Sequence, residues 1–143
     1  MPKKINKKDL FFLNCLPIAI LIFNHENKVF FANDEAVNLY GYDLEEFKSM
    51  SILNLRPEWQ MEIEKSIMEY FFYNRKNHRI LSKHKTKEGK ILDVDIQTTI
   101  LEINDEIFLL ECIREITEQQ NVLRSYERAI DIMAKVVKDL TQY

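Results

Sequence analysis

A chain of 143 residues, 46% of them apolar and 30% charged, with two Gly and three Pro, has the make-up of one globular domain and excludes disordered and fibrous classes. Its net charge of -3 argues against a nucleic-acid-binding surface. Cys15 and Cys112 form neither a metal spacing nor a disulfide framework and read as reduced core thiols of a cytoplasmic protein.

In chain order, residues 1–8 read as a basic, flexible start. Asn6 with Asp9 can cap a short helix, Asp9 to Leu16, that Pro17 ends. Its Leu10, Phe11, Phe12 and Leu13 put apolar surface on more than one side, so the helix needs a second surface to lie against. The apolar run Cys15 to Phe23 is too short to span a bilayer, and no signal peptide precedes it, so no membrane role is expected. Ile18 to Phe23, the polar gap Asn24 to Lys28, and Val29-Phe30-Phe31 read as a hairpin. Asn33 then caps a helix with Asp34 and Glu35 in its first turn, and Gly41 ends it in a left-handed conformation. Asp43 and Glu46 form a capping box for the next helix, with Tyr42 and Phe47 as its hydrophobic staple.

Ser49 to Leu55 is an irregular segment that tucks Ile52, Leu53 and Leu55 inward. Pro57 opens the longest internal helix, about Glu58 to Tyr73, whose Trp59, Ile63, Ile67, Tyr70 and Phe71 form one stripe directed at a sheet. Asn74 to Asn77 is a loop. Arg79 to Lys87 alternates weakly, and Lys87-Glu88-Gly89-Lys90 turns into a strand with Leu92, Val94, Ile96, Thr98 and Ile100 on one side. After a turn at Asn104-Asp105, Ile107 to Ile116 is apolar on both faces and reads as a central strand. The outcome is an α+β domain over residues 9–117, a five-stranded antiparallel sheet with helices inserted between the second and third strands. Residues 118–143 form a separate helix that Thr117 and Gln120 open as a capping box. Leu123, Tyr126, Ile130, Met133, Val137 and Leu140 repeat in steps of three and four, a coiled-coil seam that calls for a second copy, the first helix or another domain.

In this order and spacing, Ile20 to Phe23, Ala32-Asn33 with Ala36, Leu39-Gly41-Tyr42, Glu45-Glu46-Phe47, Lys87-Glu88-Gly89 and Arg114-Glu115-Ile116-Thr117-Glu118 resemble a PAS domain of bacterial and archaeal sensor proteins. The resemblance covers about Asp9 to Gln120, and the trailing helix looks like the signalling helix that joins such domains to an output domain. It implies a non-enzymatic sensory module that dimerises and relays a change through Glu115, Ile116 and Thr117. Where the family closes its last strand with Asp-Ile-Thr, this chain has Glu115, one methylene longer. The alternatives are a ligand-free interaction adaptor, or the front of a histidine kinase or diguanylate cyclase.

The resemblance also implies a pocket between sheet and inserted helices, lined by Phe31, Tyr40, Phe47, Ile52, Leu55, Ile63, Ile67, Val94, Phe108 and Leu110, although apolar stripes of this kind are core before they are sites. The cofactor is unknown. The long helix lacks the His that haem-binding relatives use, and Ser49 to Pro57 lacks the reactive Cys of the flavin photosensors, which argues against haem and against a covalent flavin adduct. His25, His78 and His84 read as solvated, the last two about 20 Å apart along a strand and so no metal pair. The basic run Arg75, Lys76, Arg79, Lys83, Lys85, Lys87 and Lys90 reads as a solvated face, and Asp93 and Asp95 as exposed carboxylates without a raised pKa.

Overall fold

In the computed structural model, which describes residues 2–75 and 77–142, the chain runs β1 (Lys3–Lys4), a 3-10 helix (Lys7–Cys15), β2 (Ala19–Phe23), β3 (Val29–Ala32), α1 (Asp34–Tyr40) and α2 (Leu44–Lys48). Two short 3-10 turns, Ile52–Leu55 and Glu58–Gln60, lead into α3 (Met61–Asn74), followed by β4 (His78–Lys85), β5 (Ile91–Ile103), β6 (Glu106–Glu115) and α4 (Thr117–Thr141). Met1 of the expected flexible start, Lys76 of the basic run and Tyr143 of the last helix lie outside the described residues.

The sheet has six strands, not five, in the order β1-β5-β6-β2-β3 with β4 also on β5. β5 outruns its neighbour: β4 pairs along it from Ile91 to Thr98, and the edge left free at Leu101 and Glu102 takes Lys3 and Lys4 in parallel register. Ile5 N–H donates to Glu102 O at 3.1 Å, and the Lys4 ammonium lies 3.3 Å from the Glu102 carboxylate. Residues expected to be flexible are therefore partly a strand.

Asn33 ties the first third of the chain together. Its Oδ1 caps α1 by accepting from Ala36 N (3.1 Å) and also accepts from Ile20 N (2.8 Å), while Nδ2 donates to Leu13 O (2.9 Å) and Ile18 O (2.8 Å). Fully buried, it meets every hydrogen-bonding requirement of its amide. Gly41 ends α1 at φ +84°, and the Asp43/Glu46 capping box opens α2, with the Tyr42 and Phe47 rings 5.5 Å apart beside it. The N-terminal helix differs from expectation: it is a 3-10 helix, and the Asn6 side chain makes no capping bond. The bonds of its last turn to Asn33 and Asp34 and the packing of Leu10 and Leu13 hold it against the sheet instead.

Alternation along the strands gives the sheet two covered faces. On the inner face, Leu21, Phe23, Val94, Ile96, Leu109 and Ile113 meet α1, α2 and α3. On the outer face, Ile20, Ile22, Leu101, Ile103 and Phe108 meet Leu10 and Leu13 of the 3-10 helix. α3 is partly turned from its expected orientation: Trp59, Ile63 and Tyr70 are exposed, the fully buried side chains are Glu64 and Met68, and Ile67, Phe71 and Phe72 pack half-buried against the core. In this orientation Glu64 meets a buried cation on the opposite side of the interior, described below. Cys15 is exposed and Cys112 half-buried, so the expectation of two core thiols fails for Cys15, which the end of the 3-10 helix carries outward.

Candidate functional site

Between the inner face of the sheet and the inserted helices, where the sequence suggests an apolar pocket, lies a buried polar network. Its centre is Arg56, 1% exposed. The proline after it favours extended backbone, and Arg56 has φ -95° and ψ 143°, ending the preceding 3-10 turn with its side chain directed inward. The guanidinium meets three elements at once. Nη1 reaches His84 Nε2 on β4, Nη2 donates to Glu111 Oε1 on β6 at 3.3 Å, and Nε lies 3.5 Å from Glu64 Oε2 on α3. Glu64 in turn accepts from Ser82 Oγ on β4 at 3.0 Å, and the other nitrogen of His84 bonds Tyr40 Oη at the end of α1.

Only one protonation pattern satisfies this chain. A guanidinium can only donate, so His84 Nε2 accepts and its proton sits on Nδ1, donated to Tyr40 Oη. Burial, reinforced by the neighbouring Arg56 charge, holds the imidazole well below its usual pKa and therefore neutral. Burial likewise pushes the Tyr40 hydroxyl and the Glu111 carboxyl up, with Arg56 opposing both. Glu111 Oε2 and Thr98 Oγ1 have no hydrogen-bond partner among the described residues, and the register of β5 and β6 sets these two fully buried residues directly opposite each other. The interior thus presents one cation, two carboxylates and two unpartnered oxygens within an apolar shell.

Of the residues expected to line a pocket, Tyr40, Phe47, Ile52, Leu55 and Val94 come together here, and Ile67 packs half-buried against them. Ile63 is exposed, which follows from the turned α3. Phe31, Phe108 and Leu110 belong to the outer face. The register sets Ile96 against Ile113, so Ile107, Leu109, Glu111 and Ile113 look inward and Phe108 and Leu110 outward. For Phe31, an irregularity opposite Ile22 and Phe23 shifts the alternation of β3 by one residue.

His84, expected to be solvated, is completely buried, and His78 stacks on the Phe71 ring. Both had a signal in the pattern, since His78, Ile80, Ser82 and His84 share one side of β4. Glu111 was legible too, as the lone charge at an inward position of a strand otherwise apolar there. Arg56 and Glu64 had no comparable mark. With both ring nitrogens engaged, His84 offers nothing to a haem iron, and among the described residues no group of His, Cys, Asp and Glu could hold a metal ion.

The exit of the sheet is a second point of convergence, centred on Asp93. Its N–H donates to Thr117 Oγ1 at 2.9 Å and its carbonyl accepts from Ile116 N at 2.8 Å. Its carboxylate meets Lys83 at 2.5 Å and Arg124 of α4 at 3.5 Å. The Thr117 hydroxyl is thus used by β5, and the expected capping box does not form: α4 starts after Ile116 without a side-chain cap. Glu115 is exposed and pairs through its backbone with Val94. Asp95, expected to be exposed, is buried under Arg79 (2.9 and 2.6 Å) and Arg114 (2.9 Å), whose hydrogen bonds hold its carboxyl below the usual range. Two members of the basic run, Arg79 and Lys83, therefore neutralise β5 instead of standing free. The seam residues Leu123, Tyr126, Ile130, Met133, Val137 and Leu140 lie along α4 and are all between half and three-quarters exposed.

No protein-family model and no curated protein matches the chain. Solved structures do. The PAS domain of a Desulfitobacterium hafniense protein shares 26% identity at a TM-score of 0.67, over 73% of this chain and 97% of its own. A PAS domain from a two-component sensor histidine kinase shares 18% at 0.63, over 76% of this chain and 94% of its own. The PAS domain of a Cronobacter turicensis quorum-sensing receptor, in complex with BDSF, shares 17% at 0.61, over 71% of this chain and 96% of its own. The chain has the fold of these PAS domains.

Proposed function

We propose that the chain is a cytoplasmic, non-catalytic sensory module that pairs through α4 with a second copy and relays a change in the sheet along that helix to an output partner or domain. The observation that carries this reading is α4 itself. A 25-residue helix has an apolar stripe from Leu123 to Leu140, and none of its residues is buried. A helix of that pattern draws its stability from packing, and a heptad seam is matched best by another of its kind. The sensor kinase and the quorum-sensing receptor among the similar folds support a sensory role.

The relay would run through Glu115, Ile116 and Thr117, with Asp93 as their partner on β5. A signal acts only by favouring one of two helix arrangements over the other, and tethering both backbone and side chain of Asp93 to the start of α4 makes the sheet and the helix one mechanical unit. Light scattering after size-exclusion chromatography tests the pairing. The full chain is expected to be a dimer at high micromolar concentration and the I130E/V137E variant a monomer with unchanged thermal unfolding of the domain. A monomeric full chain overturns the proposal.

A further inference from the structure

A cleft of about 820 Å³ opens between the 3-10 helix, the β2–β3 loop, edge strand β3 and α2, away from both the polar interior and α4. Its size falls within the range of small-molecule sites. Leu10, Phe30, Phe31 and Leu44 give it apolar walls, and Phe11, 73% exposed, stands beside it on the 3-10 helix. The irregularity in β3 has a use here. Because alternation slips at Phe23 and Val29, the consecutive rings of Phe30 and Phe31 both join the outer-face cluster, with Phe30 4.8 Å from Phe108.

The charges that line this apolar surface are all of one sign. The chain carries a net charge of -3, yet every charged residue lining the cleft is a lysine: Lys7, Lys8, Lys28 and Lys48. Lys7 lies 5.7 Å from the Phe30 ring centre, and Lys48 is 3.9 Å from the exposed Glu45 carboxylate. Lys8 and Lys28 have no carboxylate within ion-pair distance among the described residues. Asn24 spends its Oδ1 on the N–H groups of Glu26 and Lys28, which leaves its Nδ2 as a donor at the same rim. Gathering like charges costs free energy that an anion in the cleft would relieve.

We propose that this cleft binds a small amphiphilic anion, its acyl or aryl body against Leu10, Phe30, Phe31 and Leu44 and a single carboxylate or phosphate head at the rim formed by Lys8, Lys28 and Asn24. The site shares no residue with α4, so its failure leaves the pairing proposal intact.

Calorimetric titration of the full chain with submicellar decanoate and decyl phosphate is the test, with 1-decanol, decyltrimethylammonium and inorganic phosphate as comparisons, and amide NMR shifts to locate binding. At least one anionic amphiphile is expected to saturate a single site, shifting Lys28, Phe30 and Leu44, and the two anions together show which head is preferred. The neutral and cationic chains and inorganic phosphate are each expected to bind at least about tenfold more weakly, a difference of about 1.4 kcal/mol. The K8E/K28E variant, changed only at surface side chains, is expected to unfold at the unmodified temperature and to lose about tenfold in affinity. The proposal is overturned if neither anion outbinds decanol, if inorganic phosphate binds as tightly, if K8E/K28E binds normally, or if the shifts centre on Tyr40, Met68 and His84.

Discussion

Arg56 serves two carboxylates and an imidazole from a position almost without water. Replacing it by Met keeps the bulk but strands Glu111 and Glu64 without their cation, a situation that costs about 3–5 kcal/mol when a buried pair loses one partner. Urea unfolding of R56M is expected to show that loss; a loss under 1 kcal/mol would mean the network does not hold the interior together. His84 adds a dependence on pH. Its folded-state pKa is lowered from 6.5, so its contribution is complete above about pH 6.5 and is lost as pH falls toward the folded value, at about 1.4 kcal/mol per unit. Glu111, raised by burial, works in the opposite direction, contributing most at low pH and losing its contribution as pH rises. The comparison that isolates His84 is therefore between the unmodified chain and H84Q. Between pH 7.5 and 5.5 the unmodified chain is expected to lose stability relative to the variant, and parallel pH profiles would count against a neutral, buried His84.

At the scale of the element, the first two helices are written in local chemistry and the third is not. Asn33, Gly41 and the Asp43/Glu46 box act within a few residues of themselves, so their signals survive translation into structure. α3 carries a clean apolar stripe, but a helix can rotate about its axis at little local cost, and in the orientation it takes Glu64 meets Arg56 while Trp59 and Ile63 are exposed. The start of α4 shows the same competition. Thr117 has a capping sequence after it, yet its hydroxyl serves Asp93 on β5, because an N–H at the end of a sheet needs an acceptor. In T117V that N–H loses its acceptor. Stability is expected to fall by about 1 kcal/mol, and the Asp93 amide to exchange with solvent faster while the amides at the centre of β6 keep their protection. Unchanged protection at Asp93 would remove Thr117 from the joint between sheet and helix.

Across the whole molecule, the sheet separates two interiors of different character, polar at the centre on the helix side and apolar on the side of the 3-10 helix. From β2 onward the order of strands and helices, the caps and turns of Asn33 to Phe47, the central place of β6 and the apolar stripe of α4 are legible in the residues alone, because each depends on neighbours a few residues away or on simple alternation. Packing across the sheet settles which face Phe31, Ile63, Phe108 and Leu110 join, that β5 recruits Lys3 and Lys4, and that Arg56, Glu64, His84 and Glu111 meet. Those four residues come from four separate segments, and a charge is tolerated in an interior only when its partner arrives from elsewhere in the fold. The slip in β3 belongs with them: one residue out of register sends Phe31 to the opposite side of the sheet, and nothing in the order of the amino acids there announces it.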